Sequence, residues 1–386
     1  MAIVLATQPT ADGLYSGYLP VKFTAKEIVN VPAYLEFDLK TSAGFAIPGV
    51  PTYRATSIGG EYFFDASNYL KSILDVRSSQ GLSTTAIEEL TDSYGKFEVV
   101  VSDPINGLTS LTSNEFYAFA NIDGLRYLND ETANDGISRK EMLYSSDLGS
   151  QSINANLAPK IQGEYDRVVI FASSPTLTVE TYNEDKPNNG STIYQVGTLS
   201  VSSYVNKLIS VPLNITYVKA NFTIPPVFTP LGKFSGFRVR YGTNVMYYHK
   251  HSTCNYKEFI FVNRYGVKEN IKFKSYDFER LSTKGDQFTV GGYSATGQTN
   301  YFNTSADTEL INQETIERYN IKGQTFLTSH KEVLKDFVSS PKQYIVINGE
   351  LRSILVDGGT FSLVEKNRGV EFGFNYRMSQ KKLSFR

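Results

Sequence analysis

The sequence predicts a mainly β protein: two or three antiparallel β-sandwich domains with a few short helices. Three observations predict it. Apolar residues alternate with polar ones in many short segments, the period that buries one face of a strand and wets the other. The composition favours strands and turns over helices, with 26 Tyr, 25 Phe and 29 Gly in the chain. The length, 386 residues, exceeds what one small core accommodates.

The first domain is expected over residues 1–125. "PVKFTA" places Val21, Phe23 and Ala25 against Lys22 and Thr24, and "AYLEFDLKT" places Leu35, Phe37 and Leu39 against Glu36, Asp38 and Lys40. "KFEVVVS" and "NEFYAFANI" follow the same rule. One helix interrupts them in "FFDASNYLKSILD", where Asp65 caps the first turn and Tyr69, Leu70, Ile73 and Leu74 form one stripe. A helical turn is also expected around Ile87–Leu90. Residues 126–158 are polar and lack any period, so they read as an extended arm; loops longer than ~15 residues inside a compact domain are usually functional.

A second sandwich is expected over 159–280. Its strands are "DRVVIFASS", "TLTVETY", "STIYQVGTLS", "KLISVPLNITYVKANFTI", "FSGFRVRYG" and "VMYYHK", with a polar loop at 183–190 and a Pro/Gly joint at 225–232. Its last element is the hairpin "EFIFVNRYGVKENIKFK". There Phe259 and Phe261 share one face, and Ile260 and Val262 the other. The return strand turns Val267, Ile271 and Phe273 inward and Lys268, Asn270, Lys272 and Lys274 outward. Asn263, Tyr265 and Gly266 make the reversal, with Gly266 at a positive φ.

Residues 281–386 read as a C-terminal region of helix and hairpins. The stretch 281–310 reads as loop-rich, and "INQETIERYNI" (311–321) as a helix. A second helix starts from a capping box of Ser329 and Glu332, buries Val333, Leu334, Phe337 and Val338, and stops at Pro341. Three hairpin arms follow, "YIVI-NG-ELRSILV-DGG-TFSLVE-KNRG-VEFGFNY", of which Asn348-Gly349 is the strongest turn signal. "RMSQKKLSFR" is a basic tail.

Charge and cysteine usage narrow the function classes. The net charge is −1, which supplies no long-range field for nucleic acid or an anionic membrane. The single cysteine, Cys254, excludes an internal disulfide framework. No run approaches the ~18 apolar residues of a membrane span, and the start lacks the pattern of a secretory signal. Expression in a reducing cytoplasm is therefore expected.

Few residues offer chemistry. "HKHSTC" brings His249, His251 and Cys254 together, with His330 the one remaining histidine; a zinc site there lacks an evident fourth ligand. "DETANDG" spaces Asp130, Thr132 and Asn134 like calcium ligands, with Glu141 at the twelfth place. Its Gly136 falls one position late for an EF-hand loop. "GYSATG" around Ser294 is not a nucleophile elbow, and there is no phosphate-binding glycine loop. The expectation is no enzyme, no catalytic or cofactor-binding residues, no metal and no cofactor.

Three pieces of the chain resemble virion structural proteins of tailed phages infecting Bacteroidota, including the crAss-like group. The first is "ATQP…LPVKFTA…YLEFDL…EYFFDASNYLKSIL". The second is "CNYKEFIFVNRYGVKENIKFK", a Cys before an aromatic strand and an Asn-x-x-Gly turn. The third is "SSPKQYIVINGELRSILVDGGTFSLVEKNRGVEFGFNY" behind a helix. The second piece departs from the family pattern, with Val267 in place of a second glycine and Phe261 rather than a Trp ahead of Asn263. The resemblance implies a head–tail connector, tail ring or tail-tip component built of immunoglobulin-like (Ig-like) or related sandwich domains. Its partners would be copies of itself in a ring and other virion proteins, portal-adjacent or tail, with no membrane and no sequence-specific nucleic acid. It would reside in the neck or tail of a virion assembled in the bacterial host cytoplasm. It also makes the hairpin a fold element, held by Asn263 and shaped by Gly266. The alternative expectation is a tail adhesin that grips a receptor glycan, drawn from the density of Tyr and the loops at 183–190 and 285–300.

Overall fold

The computed structural model describes residues 3–27, 31–75, 78–120, 160–161, 164–182, 195–222, 236–242, 244–249, 256–263, 265–274, 278–290, 307–326, 331–357, 362–366, 369–379 and 382–383. The chain is mainly β, in several largely antiparallel sheets with few short helices, as expected.

The N-terminal strands are β1 (Ile3–Thr7), β2 (Gly13–Ser16), β3 (Lys22–Glu27), β4 (Tyr34–Thr41), β5 (Tyr53–Thr56) and β6 (Glu61–Asp65). Helix α1 (Ser67–Ile73), β7 (Glu88–Glu89), β8 (Tyr94–Asp103), β9 (Leu108–Thr112) and β10 (Phe116–Phe119) follow. One sheet runs β1-β3-β6; the other runs β2-β10-β8-β4-β5, with β9 on β8. The alternation read from "AYLEFDLKT" holds, with Leu35, Phe37 and Leu39 buried. Rings from both sheets fill the interior, and Phe37 stacks on Phe64 at 5.2 Å. Asp65 does begin the helix: its Oδ1 accepts from the amides of Ser67 and Val21, both at 2.9 Å.

The helical turn expected around Ile87–Leu90 is instead β7. It pairs Glu88 with Ser210 and Glu89 with Ile209, and Lys207 holds Glu89 at 2.7 Å. The partner lies far along the chain, so local spacing carries no trace of it.

The middle region contains β11 (Lys160–Ile161), β12 (Arg167–Phe171), β13 (Thr176–Tyr182), β14 (Gln195–Ser200), β15 (Leu208–Pro212), α2 (Ile215–Asn221), β16 (Gly236–Tyr241) and β17 (Asn244–His249). Its sheets run β11-β17-β16-β13-β14 and β12-β15-β7. Helix α2 corrects the strand expected through "NITYVKAN". Asn214 Oδ1 accepts from the Tyr217 amide at 2.9 Å, and Tyr217, Val218 and Phe222 bury one stripe. Strand β12 is buried on both faces. Val168 and Ile170 enter the middle core; Val169 and Phe171 meet Tyr117 and Phe119 of β10, with the Tyr117 and Phe171 rings 5.1 Å apart. The N-terminal and middle sandwiches are thus fused through a shared apolar seam.

The C-terminal sheet is formed by β18 (Tyr256–Val262), β19 (Lys268–Lys274), β20 (Phe278–Val290), β21 (Asp307–Phe326), β22 (Gln343–Ile347), β23 (Glu350–Val356), β24 (Ser362–Lys366), β25 (Gly369–Met378) and β26 (Lys382–Leu383). Helix α3 (Lys331–Ser339) packs on it. The order is β19-β18-β22-β23-β25-β21-β20, with β24 on β25 and β26 on β21. The hairpin assigned from sequence to the second sandwich therefore hydrogen-bonds into this sheet, through Phe259–Ile345 and its neighbours.

The loop expected over 281–310 is strand where it is described, at 281–290 and 307–310, while 291–306 lie outside the described residues; the helix expected over 311–321 is corrected as well, because that stretch is strand in the same two-stranded ribbon. Gly285 marks a bulge, facing the extra pair Asn312–Gln313 between the Lys284–Glu314 and Asp286–Ile311 pairs. The helix-like stretch is rich in β-branched residues (Ile311, Thr315, Ile316, Ile321), and β25 supplies it with a ladder from Arg318 to Phe326. Helix α3 buries Val333, Leu334 and Phe337 as expected; Ser329 of the capping box lies outside the described residues. The basic tail returns to the sheet, where Lys382 pairs with Thr315. Asn348 and Gly349 both take positive φ, 52° and 78°, between β22 and β23. Gly349→Ala is expected to cost about 1 kcal/mol, because a Cβ there meets nothing nearer than Glu164 Oε1, an ordinary contact at 3.8 Å, and only the backbone angle is strained. A denaturant midpoint lowered without a change in slope checks it.

Candidate functional site

The hairpin β18–β19 is the point at which all three regions meet. Its turn is fastened by one side chain. Asn263 Oδ1 accepts from the amides of Tyr265 at 3.0 Å and Val267 at 3.3 Å. Its Nδ2 donates to Glu269 Oε2 at 3.0 Å, and Gly266 turns at φ 76°. The roles expected for Asn263 and Gly266 are the ones they play.

The outward face of β19 is not wet. Lys268 and Asn270 on that face are buried, as is Glu269 on the opposite one. Asn270 Nδ2 donates to Asp166 and, at 2.8 Å, to Glu258 Oε1. Glu258 also accepts from the amides of Glu164 and Tyr165, at 3.2 and 3.1 Å. Lys268 Nζ reaches across to the Gln80 carbonyl at 2.6 Å, and Tyr165 donates its hydroxyl to the Gly349 carbonyl at 2.9 Å. Arg167 lies within this cluster. Its Nε donates to the Tyr165 carbonyl at 3.1 Å, and its own carbonyl accepts from the Tyr248 hydroxyl at 3.0 Å. Its Nη1 and Nη2 have no hydrogen-bond partner among the described residues. The fields of Glu88, Glu258 and Asp166 oppose the cost of burying it.

Burial sets the electrostatics. Desolvation lowers Arg167 to about 10, against the opposing pull of Glu88, Glu258 and Asp166. Desolvation, then the charges of Arg167 and Lys342, lowers Lys268 to about 8 from 10.5. Burial pushes the Tyr248 hydroxyl well up. For Lys268 the folded pKa lies below the unfolded one, so between about pH 8 and 10.5 the unfolded chain binds more protons. Stability from this group therefore rises with pH across that window, by up to about 3 kcal/mol. Subtracting the stability–pH profile of Lys268→Met from that of the wild type should leave this rise. A flat difference would contradict it.

This cluster acts as a polar clamp. It ties the Gln80 loop of the N-terminal sandwich, the start of β12 and the C-terminal sheet into one body. Sequence reasoning missed Asp166, Arg167, Glu258, Lys268 and Asn270. A signal was present in "RVVIF", whose unbroken apolar run marks a strand buried on both faces and so draws in its flanking polar residues.

A second feature is a long two-stranded ribbon. Strands β20 and β21, 13 and 20 residues long, pair from Phe278–Asn320 to Val290–Asp307. At ~3.3 Å per residue, β20 extends about 43 Å. Strand β25 accompanies β21 only from Arg318 onward, and β26 only at Glu314–Thr315. From Asp286–Ile311 to Val290–Asp307 the ribbon has two strands among the described residues.

The candidate ligand sets fall elsewhere. His249 ends β17, while His251, Cys254 and His330 lie outside the described residues. So do Ser294 and the stretch from Asp130 through Thr132, Asn134 and Gly136 to Glu141. Among the described residues no group of three or more His, Cys, Asp or Glu side chains is placed to hold a metal, and no helix is long and apolar enough to cross a membrane.

Fold and clamp together define a class: a fused, mainly β protein of stacked sheets locked at one polar junction. No protein-family model matches the chain, and no curated protein matches it.

Proposed function

We propose that this chain is a structural subunit of a tailed-phage particle, forming a homo-oligomeric ring in the head–tail connector or tail and contacting neighbouring virion proteins there. The ribbon carries the reading. An isolated two-stranded hairpin is marginal in water and gains stability from a third strand or a packed face, so a ribbon that outruns its own sheet is suited to a surface outside the chain. The clamp supports the same reading, since a ring subunit transmits load best as one body. Rings arise when a head-to-tail contact repeats and closes. The resemblance in the three sequence pieces supplies the phage context.

The test is mass in solution followed by location. The purified chain should sediment as a closed oligomer, and its density should fill a ring in an electron-microscopy map of the intact particle. A monomer at high concentration that is absent from virions would overturn the proposal. Such a monomer binding a surface glycan would favour the adhesin.

A further inference from the structure

The turn between β22 and β23 carries chemistry as well as shape. Its residues, Asn348 and Gly349, are both exposed at the hairpin tip. An asparagine side-chain amide is open to attack by the backbone nitrogen of the next residue, and a glycine there puts no side chain in the way. The Gly349 nitrogen lies between Ile347 and Glu350, the last pair of the ladder. Neither it nor Asn348 Nδ2 makes a hydrogen bond among the described residues. The pair Asn106-Gly107, exposed at the tip between β8 and β9, differs. Asn106 Nδ2 donates to Asp103 Oδ2 at 2.7 Å, and the Gly107 amide donates to the Asp103 carbonyl at 3.1 Å. Asp103 is 1% exposed, so both reacting groups there are tied to a fixed anchor. A third pair, Asn189-Gly190, lies outside the described residues.

We propose that Asn348 is a site of spontaneous deamidation, and that its conversion loosens the C-terminal sheet from the middle region. The Gly349 nitrogen attacks Asn348 Cγ. An N–Cγ bond forms, the Cγ–Nδ2 bond breaks, and Nδ2 leaves as ammonia with the proton given up by the Gly349 amide. Water then opens the cyclic imide at either carbonyl, giving aspartate or, from the main-chain carbonyl, isoaspartate. Water is consumed, ammonia is released and nothing is oxidised. The folded turn holds Asn348 at φ 52°, so the ring closes as the tip opens, a local opening of low cost. Isoaspartate carries the main chain through Cβ. It therefore lengthens a two-residue turn and spoils the fit of the Ile347–Glu350 pair. It also shifts the Gly349 carbonyl, which accepts from the Tyr165 hydroxyl at 2.9 Å. Both products add a carboxylate beside Glu350 and near Glu164, whose Oε1 lies 3.8 Å from where a Gly349 Cβ would stand.

The test ages the full chain in warm, mildly alkaline buffer made with heavy-oxygen water and maps its peptides by mass spectrometry. Asn348 should convert to paired aspartate and isoaspartate peptides, each carrying one heavy oxygen. It should do so about tenfold faster than Asn106, the factor expected from the hydrogen bonds that hold Asn106 and the Gly107 amide. An Asn348 that stays intact, or converts no faster than Asn106, would overturn the site. The aged protein, returned to fresh buffer, should show a lower denaturant midpoint than protein that was not aged. Asn348→Gly keeps a residue that accepts positive φ and removes the reacting amide, so its midpoint should not fall with age. Asn348→Asp adds the charge without lengthening the chain and should lose less than the aged wild type. Conversion that leaves the wild-type midpoint unchanged, or an equal fall in aged Asn348→Gly, would overturn the loosening.

Discussion

Truncating Phe259 to alanine is expected to destabilise the chain by about 3–5 kcal/mol, the range for a fully buried Phe. Phe259 is 0% exposed. It meets four rings edge-on: Phe273 at 5.5 Å, Phe337 at 5.8 Å, Phe374 at 5.5 Å and Tyr376 at 5.4 Å. Those rings come from β19, α3 and β25, so the cavity would open where three elements converge. None can fill it alone, because each is already held by the others; Phe337 and Phe374 lie 5.0 Å apart. Phe259→Leu should recover most of the loss, as it refills most of the volume. A denaturant titration of the two variants checks both statements, and an alanine variant within 1 kcal/mol of wild type would contradict the first.

Glu258→Ala should cost a comparable amount, about 3–5 kcal/mol, by a different route. It creates a modest void but strips three donors of their acceptor: the Glu164 amide, the Tyr165 amide and Asn270 Nδ2. It also removes one of the carboxylates that face the buried Arg167. Glu258→Gln separates the two effects, since it keeps an acceptor oxygen and removes the charge; it should fall between wild type and alanine. If Gln matches Ala, the charge dominates; if it matches wild type, the hydrogen bonds do. The double variant Arg167→Met, Glu258→Gln should lose less than the sum of the single losses, because the coupled charges leave together.

Much of this fold was legible in the sequence where the physics is local. Alternation found β4 and β8, the apolar stripe found α1 and α3, and Asn348-Gly349 found the turn between β22 and β23. The failures occur where a distant partner decides. Glu88–Glu89 is a strand only because β15 offers it an edge. Ile311–Ile321 has helical spacing, yet β20 and β25 capture it as strand. Lys268 and Asn270 occupy what alternation calls the wet face, but β12 and the Gln80 loop cover that face. The clamp was illegible for the same reason: Gln80 and Lys268 are far apart in the chain and meet only after folding.

The contacts of β7 bear on synthesis. A ribosome adding roughly 5–20 residues per second releases Glu88–Glu89 several seconds before β15 and the hairpin emerge. During that interval the nascent N-terminal sandwich can fill its interior, but the seam formed by Tyr117 and Phe119 has no cover. Chaperone engagement should concentrate in that window, and ribosome stalling anywhere between residues 125 and 205 should yield a chain that sticks to its neighbours.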